Sequence, residues 1–305
     1  MKKYRMALTL LLAALLLALP GLAEEISSPY VENEWNFVDG SLDVSGGIPS
    51  DAEGTLADIR ERGLLRVATE PYFPPYEFID PALTGQEQYM GADMELARLI
   101  ARRMGVELEI VPMEFTQVLP AVAERQCDLA ISGLSFTPAR AAMVEMSKGY
   151  HYTLGNAGSG LMIRQADGAR IRDIGDLKSA VILAQAGSLQ EALAADNIYE
   201  YRQFRRMPTM QEVYAALEEG RADAAIVDIE NAQSYIAANP DCGLTVVPEV
   251  RFILEEQFDG DRIAGPKGET MLMYFVNGVI DEVLEDGHYQ SWFSQYTVYA
   301  SKLDL

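Results

Sequence analysis

Arg140 ends the run SGLSFTPAR, and its spacing from Thr137 and Pro138 has a chemical consequence. Thr is a good helix N-cap and Pro a good first helical residue, so Arg140 is expected in the first turn of a helix. A guanidinium beside exposed backbone N–H groups suits a carboxylate, which it can hold bidentately with charge assistance. Pairing with an acidic neighbour on the surface is the commoner fate of an arginine. Here the small residues Ser132, Gly133 and Ser135 on the approach favour a ligand. Far along the chain, Asp228 closes the apolar stretch AAIVD. A carboxylate at a buried strand end needs a cation; a ligand ammonium could serve, and so could Arg221. Gly187-Ser188 opens another helix, either as an ordinary N-cap or as a second anion-compatible turn. An arginine on one unit and an aspartate on another would clamp a zwitterion, the charge layout of a free α-amino acid.

The elements that must hold these residues read as α/β. Leu56 to Arg62 reads as a short helix stopped by Gly63, and Leu65 to Thr69 as a strand. From Gly91 the apolar positions Met94, Ala97, Ile100, Ala101 and Met104 share one helical face, and Gly105 ends it. Val106, Leu108 and Ile110 then alternate as a half-buried strand. Strand, helix and strand in short order imply parallel pairing through right-handed crossovers. VLPAVAERQCDLAIS (118–132) matches VYAALEEGRADAAIV (213–227) at a constant offset of 95 residues. Whether by ancestry or by convergence, the same helix–turn–strand unit occurs once in each half. Ligands bind beyond the carboxyl ends of strands in open α/β sheets. Small and hydroxyl residues follow the first copy there, and a carboxylate follows the second.

Composition narrows the function classes. The chain has 305 residues, 24 basic and 46 acidic, for a net charge of −22. Lys2, Lys3 and Arg5, the apolar run Ala7 to Leu19, Pro20, and the small residues Gly21 and Ala23 predict a signal peptide cleaved after Ala23. Its removal takes the net charge from −22 to −25, which argues against nucleic acid and anionic membranes as partners. Residues 24–54 are acidic and rich in Ser, Gly and Pro, and read as a linker or strap that Tyr30, Trp35 and Phe37 could pin to the body. Cys127 and Cys242 are expected in different lobes, as free thiols. His151 and His288 are far apart, and no metal-ligand spacing occurs. Neither metal nor cofactor is expected.

Several motifs in order resemble one family, the extracytoplasmic solute-binding proteins of polar amino-acid ABC transporters. RVATEPYFPPYEF (66–78) is similar to its first strand and loop, GADMELARLIARRMG (91–105) to its first long helix, and AISGLSFTPAR (130–140) to its carboxylate-binding segment. AQAGSLQEA (184–192) resembles its second-lobe helix start, and DGHYQSWFSQY (286–296) its C-terminal helix. The resemblance implies an α/β, two-lobed, type II periplasmic-binding-protein-like fold, each lobe a sheet flanked by helices. Lobe 1 would comprise 55–152 and 248–305, and lobe 2 would be 153–247, with crossings near Tyr152 and Val247 forming a two-strand hinge. It implies a monomer, periplasmic or extracellular, that binds a free polar or cationic amino acid by hinge closure and docks on a membrane permease. By the same resemblance Arg140, Ser135 and backbone around Gly133 would hold the ligand carboxylate, with Ser188 as a second-lobe donor. Asp228 would take the ammonium, while Glu70, Phe73 and Phe115 would line the side-chain pocket, though both Phe could equally be core. Leu189 departs from the family's common Thr, which removes one hydroxyl from the expected donor set. Two other classes stay open: a cyclohexadienyl or arogenate dehydratase using Glu70 as general acid, and a ligand-sensing module.

Overall fold

A computed structural model of the protein describes residues 37–152, 158–252 and 258–303. Helix α1 (Gly54–Arg62) stops at Gly63, which takes the left-handed conformation at φ 68°, and strand β1 (Leu64–Thr69) follows at once. A small antiparallel sheet of β2 (Tyr72–Phe73), β3 (Glu77–Ile79) and β4 (Tyr89–Met90) leads into α2 (Ala92–Met104). All five apolar positions read onto one face of α2 are buried, and Gly105 caps it at φ 72°. Next come β5 (Glu107–Pro112), α3 (Phe115–Ala123), β6 (Leu129–Ala130), α4 (Pro138–Met143) and β7 (Glu145–His151). A second run holds β8 (Ser159–Arg164), β9 (Val181–Gln185), α5 (Leu189–Asn197), β10 (Gln203–Met207) and α6 (Met210–Glu218). It ends with β11 (Ala224–Asp228), α7 (Ile229–Ala238) and β12 (Leu244–Phe252). The chain then supplies β13 (Asp261–Gly265), α8 (Thr270–Glu285) and α9 (His288–Ala300).

These elements build two five-stranded sheets, ordered β5-β1-β6-β13-β7 and β10-β9-β11-β8-β12. The inner strands are parallel, and each sheet has one returning strand, β13 or β8, antiparallel to its neighbours. The repeated unit occupies the same place in both. Asp128 accepts a hydrogen bond from the Arg66 N–H at 2.8 Å, and Asp223, its counterpart 95 residues on, accepts one from the Val181 N–H at 2.7 Å. Each carboxylate thereby satisfies the exposed start of the neighbouring strand. Val118 and Val213, like Ile131 and Ile226, are fully buried. Cys127 and Cys242 are free thiols, one in each lobe.

Past Val247, near which a crossing was expected, β12 stays paired with β8 as far as Phe252, opposite Ser159, so the second sheet extends to Phe252. Pro248 has no N–H to give, and the ladder shifts register between Val246 and Arg251, but pairing resumes beyond the irregularity. Residues 153–157 and 253–257 lie outside the described residues, as do the expected signal peptide, Tyr30 and Trp35.

Of the two alternatives for the stretch before Thr55, linker or strap, the part from Phe37 on is a strap against the first lobe. Val38 N–H donates to Met146 O at 2.9 Å and Leu42 N–H to Tyr274 O at 3.0 Å, while the Asn277 amide donates to Gly40 O at 2.9 Å. Val44 is buried, and the Phe37 ring lies 4.0 Å from the Arg262 guanidinium. Gly278 on α8 is the groove that admits the strap, since a Cβ there would stand 2.1 Å from Leu42 O. Gly278→Ala should therefore push the strap off and destabilise the protein by about 1–3 kcal/mol, measurable by urea denaturation. An unchanged midpoint would mean that the strap contributes nothing.

Candidate functional site

Arg140 stands where the spacing put it. Thr137 Oγ1 caps α4 by accepting the Arg140 N–H at 3.2 Å, and Pro138 takes the first helical position. The guanidinium is only 8% exposed. It donates to two carbonyls, Ser135 O at 2.7 Å in its own lobe and Gly187 O at 3.2 Å in the other. Burial lowers its pKa to about 10, with Asp261 the one charge favouring the cation. A buried cation whose direct partners are neutral is short of an anion.

Asp228 ends β11 and caps α7, one oxygen accepting the Asn231 N–H at 2.9 Å. Arg221, the alternative partner weighed from sequence, pairs with Glu219 instead. Burial pushes the Asp228 carboxyl up to about 6. Ser188 caps α5, but its hydroxyl is spent locally, donating to Gln185 O at 2.7 Å and accepting the Glu191 N–H at 3.1 Å. What this turn has left to donate are the backbone N–H groups of Leu189 and Gln190 in the first turn of α5.

Glu70, just past β1, is 1% exposed, and its Oε1 has no hydrogen-bond partner among the described residues. Burial drives its carboxyl up to about 8, only partly offset by hydrogen bonds from Gln185 and the Tyr72 backbone. Beneath it lies a carboxyl pair that shapes the loop before Arg140. Asp93 accepts from Gly133 N–H at 2.9 Å, Tyr150 OH at 2.9 Å and Tyr289 OH at 2.6 Å. Ser132 Oγ donates to Glu77 at 2.8 Å and accepts the Glu70 N–H at 3.1 Å. Burial and the neighbouring Asp93 raise Glu77 strongly. Asp93 has three donors and Glu77 Oε2 has none, so the proton of the pair belongs on Glu77.

All eight residues singled out from sequence line one crevice: Glu70, Phe73, Phe115, Gly133, Ser135 and Arg140 from the first lobe, Ser188 and Asp228 from the second. It encloses about 520 Å³, its open mouth included. Both Phe are half-buried; Phe73 also packs against the cores of both lobes and stacks on Tyr76 with centroids 5.1 Å apart. Sequence reasoning missed Gln185, Gln190, Met210 and Asp261, which line it as well. Gln185 could have been found as the carboxyl end of a buried strand and Gln190 as a first-turn residue after Ser188. The lobes also touch directly: Asn231 Nδ2 donates to Pro74 O at 2.6 Å, and Tyr214 OH holds the other end of that amide.

Two carboxyl-rich walls, one buried cation and a cleft between similarly built lobes suit capture of a small charged solute. The sequence model of the bacterial extracellular solute-binding proteins, family 3, matches residues 65–298. The chain belongs to this family. The arginine-binding extracellular protein ArtP of Bacillus subtilis is 28% identical over 235 residues, covering 75% of this chain and 86% of ArtP. The crystal structure of the amino acid ABC transporter substrate-binding protein AbpA from Streptococcus pneumoniae, bound to L-arginine, superposes with a TM-score of 0.71 at 30% identity, covering 80% of this chain and 98% of AbpA. An ancestral amino-acid-binding protein described as a precursor of cyclohexadienyl dehydratase gives 0.69 at 27% identity, covering 80% of this chain and all of its own.

In this solute-binding protein the two sheets are the lobes of the type II fold. Tyr76, Ser132 and Ser135 reach the crevice from loops, while Glu70, Gln185, Arg140, Ser188 and Asp228 come from strand ends or helix starts. The latter are held by backbone ladders, so little ordering of them is needed when a ligand arrives.

Proposed function

We propose that this family member is the substrate-binding component of an amino-acid ABC transporter and that its ligand is a free α-amino acid with a cationic side chain. It is exported as a monomer, its leader removed after Ala23, and presents the closed, loaded form to a membrane permease. The observation that carries the reading is the pairing of Arg140 and Asp228, opposite charges from opposite lobes on one crevice. Arg140 holds the carboxylate, Asp228 the ammonium, and closure is favoured because only the closed form lets the ligand touch both. Ser135 and the Gly133 backbone complete the first-lobe side, and Ser188 marks the second-lobe helix start. Glu70 gives the pocket a buried carboxyl with an unmet oxygen, in the crevice that Phe73 and Phe115 also line. A guanidinium or ammonium side chain matches that chemistry, in line with the arginine-binding relatives. A thermal-shift panel of the common amino acids tests this. Binding the folded state alone raises the midpoint by mass action, so arginine, lysine or ornithine should shift it most; no shift with any amino acid would refute the reading.

Glu70 also makes this binding dependent on pH. With its carboxyl at about 8 in the empty crevice, it is largely protonated at pH 6 and must ionise to pair with a cation. Affinity for a cationic amino acid should therefore climb as pH rises from 6 to 8, and binding near pH 7 should release a proton, seen as a buffer-dependent heat in calorimetry. Glu70→Gln should reduce the proton release and weaken cationic ligands by about 10- to 100-fold, in the range of a buried charge-assisted bond. Buffer-independent heats in the unmodified protein would take Glu70 out of the pocket.

The same protonated carboxyl favours one other reading, since a neutral acid at pH 7 is what a dehydratase needs as proton donor. The cyclohexadienyl dehydratase precursor among the similar structures gives it a precedent on this fold. Asp228 speaks for a ligand carrying an ammonium, and we take the protein to be a binder rather than an enzyme. Turnover of prephenate or arogenate by the purified protein would reverse that conclusion.

A further inference from the structure

Where the two lobes meet, one side chain that can carry positive charge faces several carboxylates. His151, at the end of β7, is buried and stacks on Phe293 with centroids 4.5 Å apart. Its Nε2 meets Glu230 of α7 at 3.2 Å. Burial opposes its charge, but the Glu230 hydrogen bond and the fields of Asp261, Glu230 and Asp93 leave its pKa raised. Glu230 thus has the His151 ring as its partner. Asp228 spends one oxygen on the Asn231 N–H. Asp261 has no such outlet: among the described residues its carboxylate accepts no hydrogen bond and makes no ion pair.

Asp261 enters the crevice from the first lobe. It pairs as an isolated bridge with Ser135 and lies opposite His151 in the β13–β7 ladder, so backbone contacts fix it beside the carboxylate-binding segment. It lines the same crevice as Arg140 and Asp228. Burial raises its carboxyl to about 7; His151 pulls it down, and Asp93, Asp228 and Glu230 push it up. Its field reaches Arg140, where it favours the cation. Asp261 and Asp228 are thus two like charges, one per lobe, on the same crevice, and the His151 ring whose field reaches both already has Glu230 as its hydrogen-bond partner.

We propose that Asp261 is a second carboxylate for the ligand's α-ammonium, contributed by the first lobe opposite Asp228 of the second, so that the ammonium is the counter-ion that lets two acidic walls meet. This rests on reading the crevice as an amino-acid site. An ammonium offers three N–H donors and can serve two carboxylates at once. Closure without it sets like charges against each other, which raises the discrimination against α-hydroxy and deaminated acids above what one carboxylate supplies.

Calorimetric titration of the unmodified protein and Asp261→Asn, each with L-arginine and with its deaminated analogue 5-guanidinopentanoate, tests the proposal. Asp261→Asn is expected to weaken arginine by 10- to 100-fold and the analogue by less than threefold, so that the discrimination between them falls by about the same factor. Arginine binding within threefold of the unmodified protein would overturn the proposal. So would an equal loss for both ligands, which would make Asp261 a structural residue. If Asp261→Asn does not fold, Asp261→Ser takes the same titrations with the same expected results. Absence of arginine binding by the unmodified protein would overturn this proposal and count against the cationic ligand; binding there with an indifferent variant overturns only the role of Asp261.

Discussion

Arg140→Ala should abolish amino-acid binding, weakening it at least 100-fold, while the purified protein keeps its helix and sheet content. The guanidinium is buried and donates to Ser135 O and Gly187 O, one carbonyl from each lobe. It is therefore held in place before a ligand arrives, and its remaining donors form a fork for a carboxylate. Removing one partner of a desolvated, charge-assisted pair commonly costs 2–5 kcal/mol, about 30- to several-thousand-fold in affinity. Arg140→Lys should fail almost as badly, because a point charge cannot reach two carbonyls and a carboxylate together. Calorimetry on both variants, with circular dichroism as the fold control, checks this. Retention of binding by Arg140→Ala would show that the carboxylate lies elsewhere.

Asp228→Asn is the second large effect, expected at about 100-fold. The choice of Asn matters. Asp228 has two duties, capping α7 through the Asn231 N–H and supplying negative charge to the crevice. Alanine would remove both, whereas asparagine is as good an N-cap as aspartate. The substitution therefore deletes the charge and keeps the cap. The thermal midpoint of the unliganded variant should be unchanged or higher, since burial disfavours the ionised carboxyl. Ligand affinity should fall, because an amide cannot offset an ammonium. A variant with lowered stability and normal affinity would reduce Asp228 to a helix cap.

Much of the architecture could be read before any coordinates, and the reason is local. Helix α2 declares itself through one apolar face and a glycine stop, and the repeat through identical spacing of buried residues around an aspartate. Arg140 and Asp228 were legible because a helix start and a strand end constrain what a charged side chain there can do. What was missed depends on contacts between distant parts of the chain. The strap before Thr55 was one of two alternatives from sequence, and what fixes it, its backbone hydrogen bonds and a glycine groove on α8 far along the chain, leaves no periodicity to read. How far β12 runs past Val247 depends on its pairing with β8, which continues to Phe252 beyond the irregularity at Pro248. Ser188 was read as a donor, yet its hydroxyl proton is used within its own turn. Asp261 belongs to no motif; only the return of the chain into the first sheet carries it to the crevice.

The central claim is that both charges of a zwitterion are needed to hold the two lobes together. Calorimetric titration with arginine and with agmatine, which keeps the amine and side chain but lacks the carboxylate, tests the claim most directly. The account predicts tight binding of arginine and at least 100-fold weaker binding of agmatine. Equal affinity for the two would contradict it.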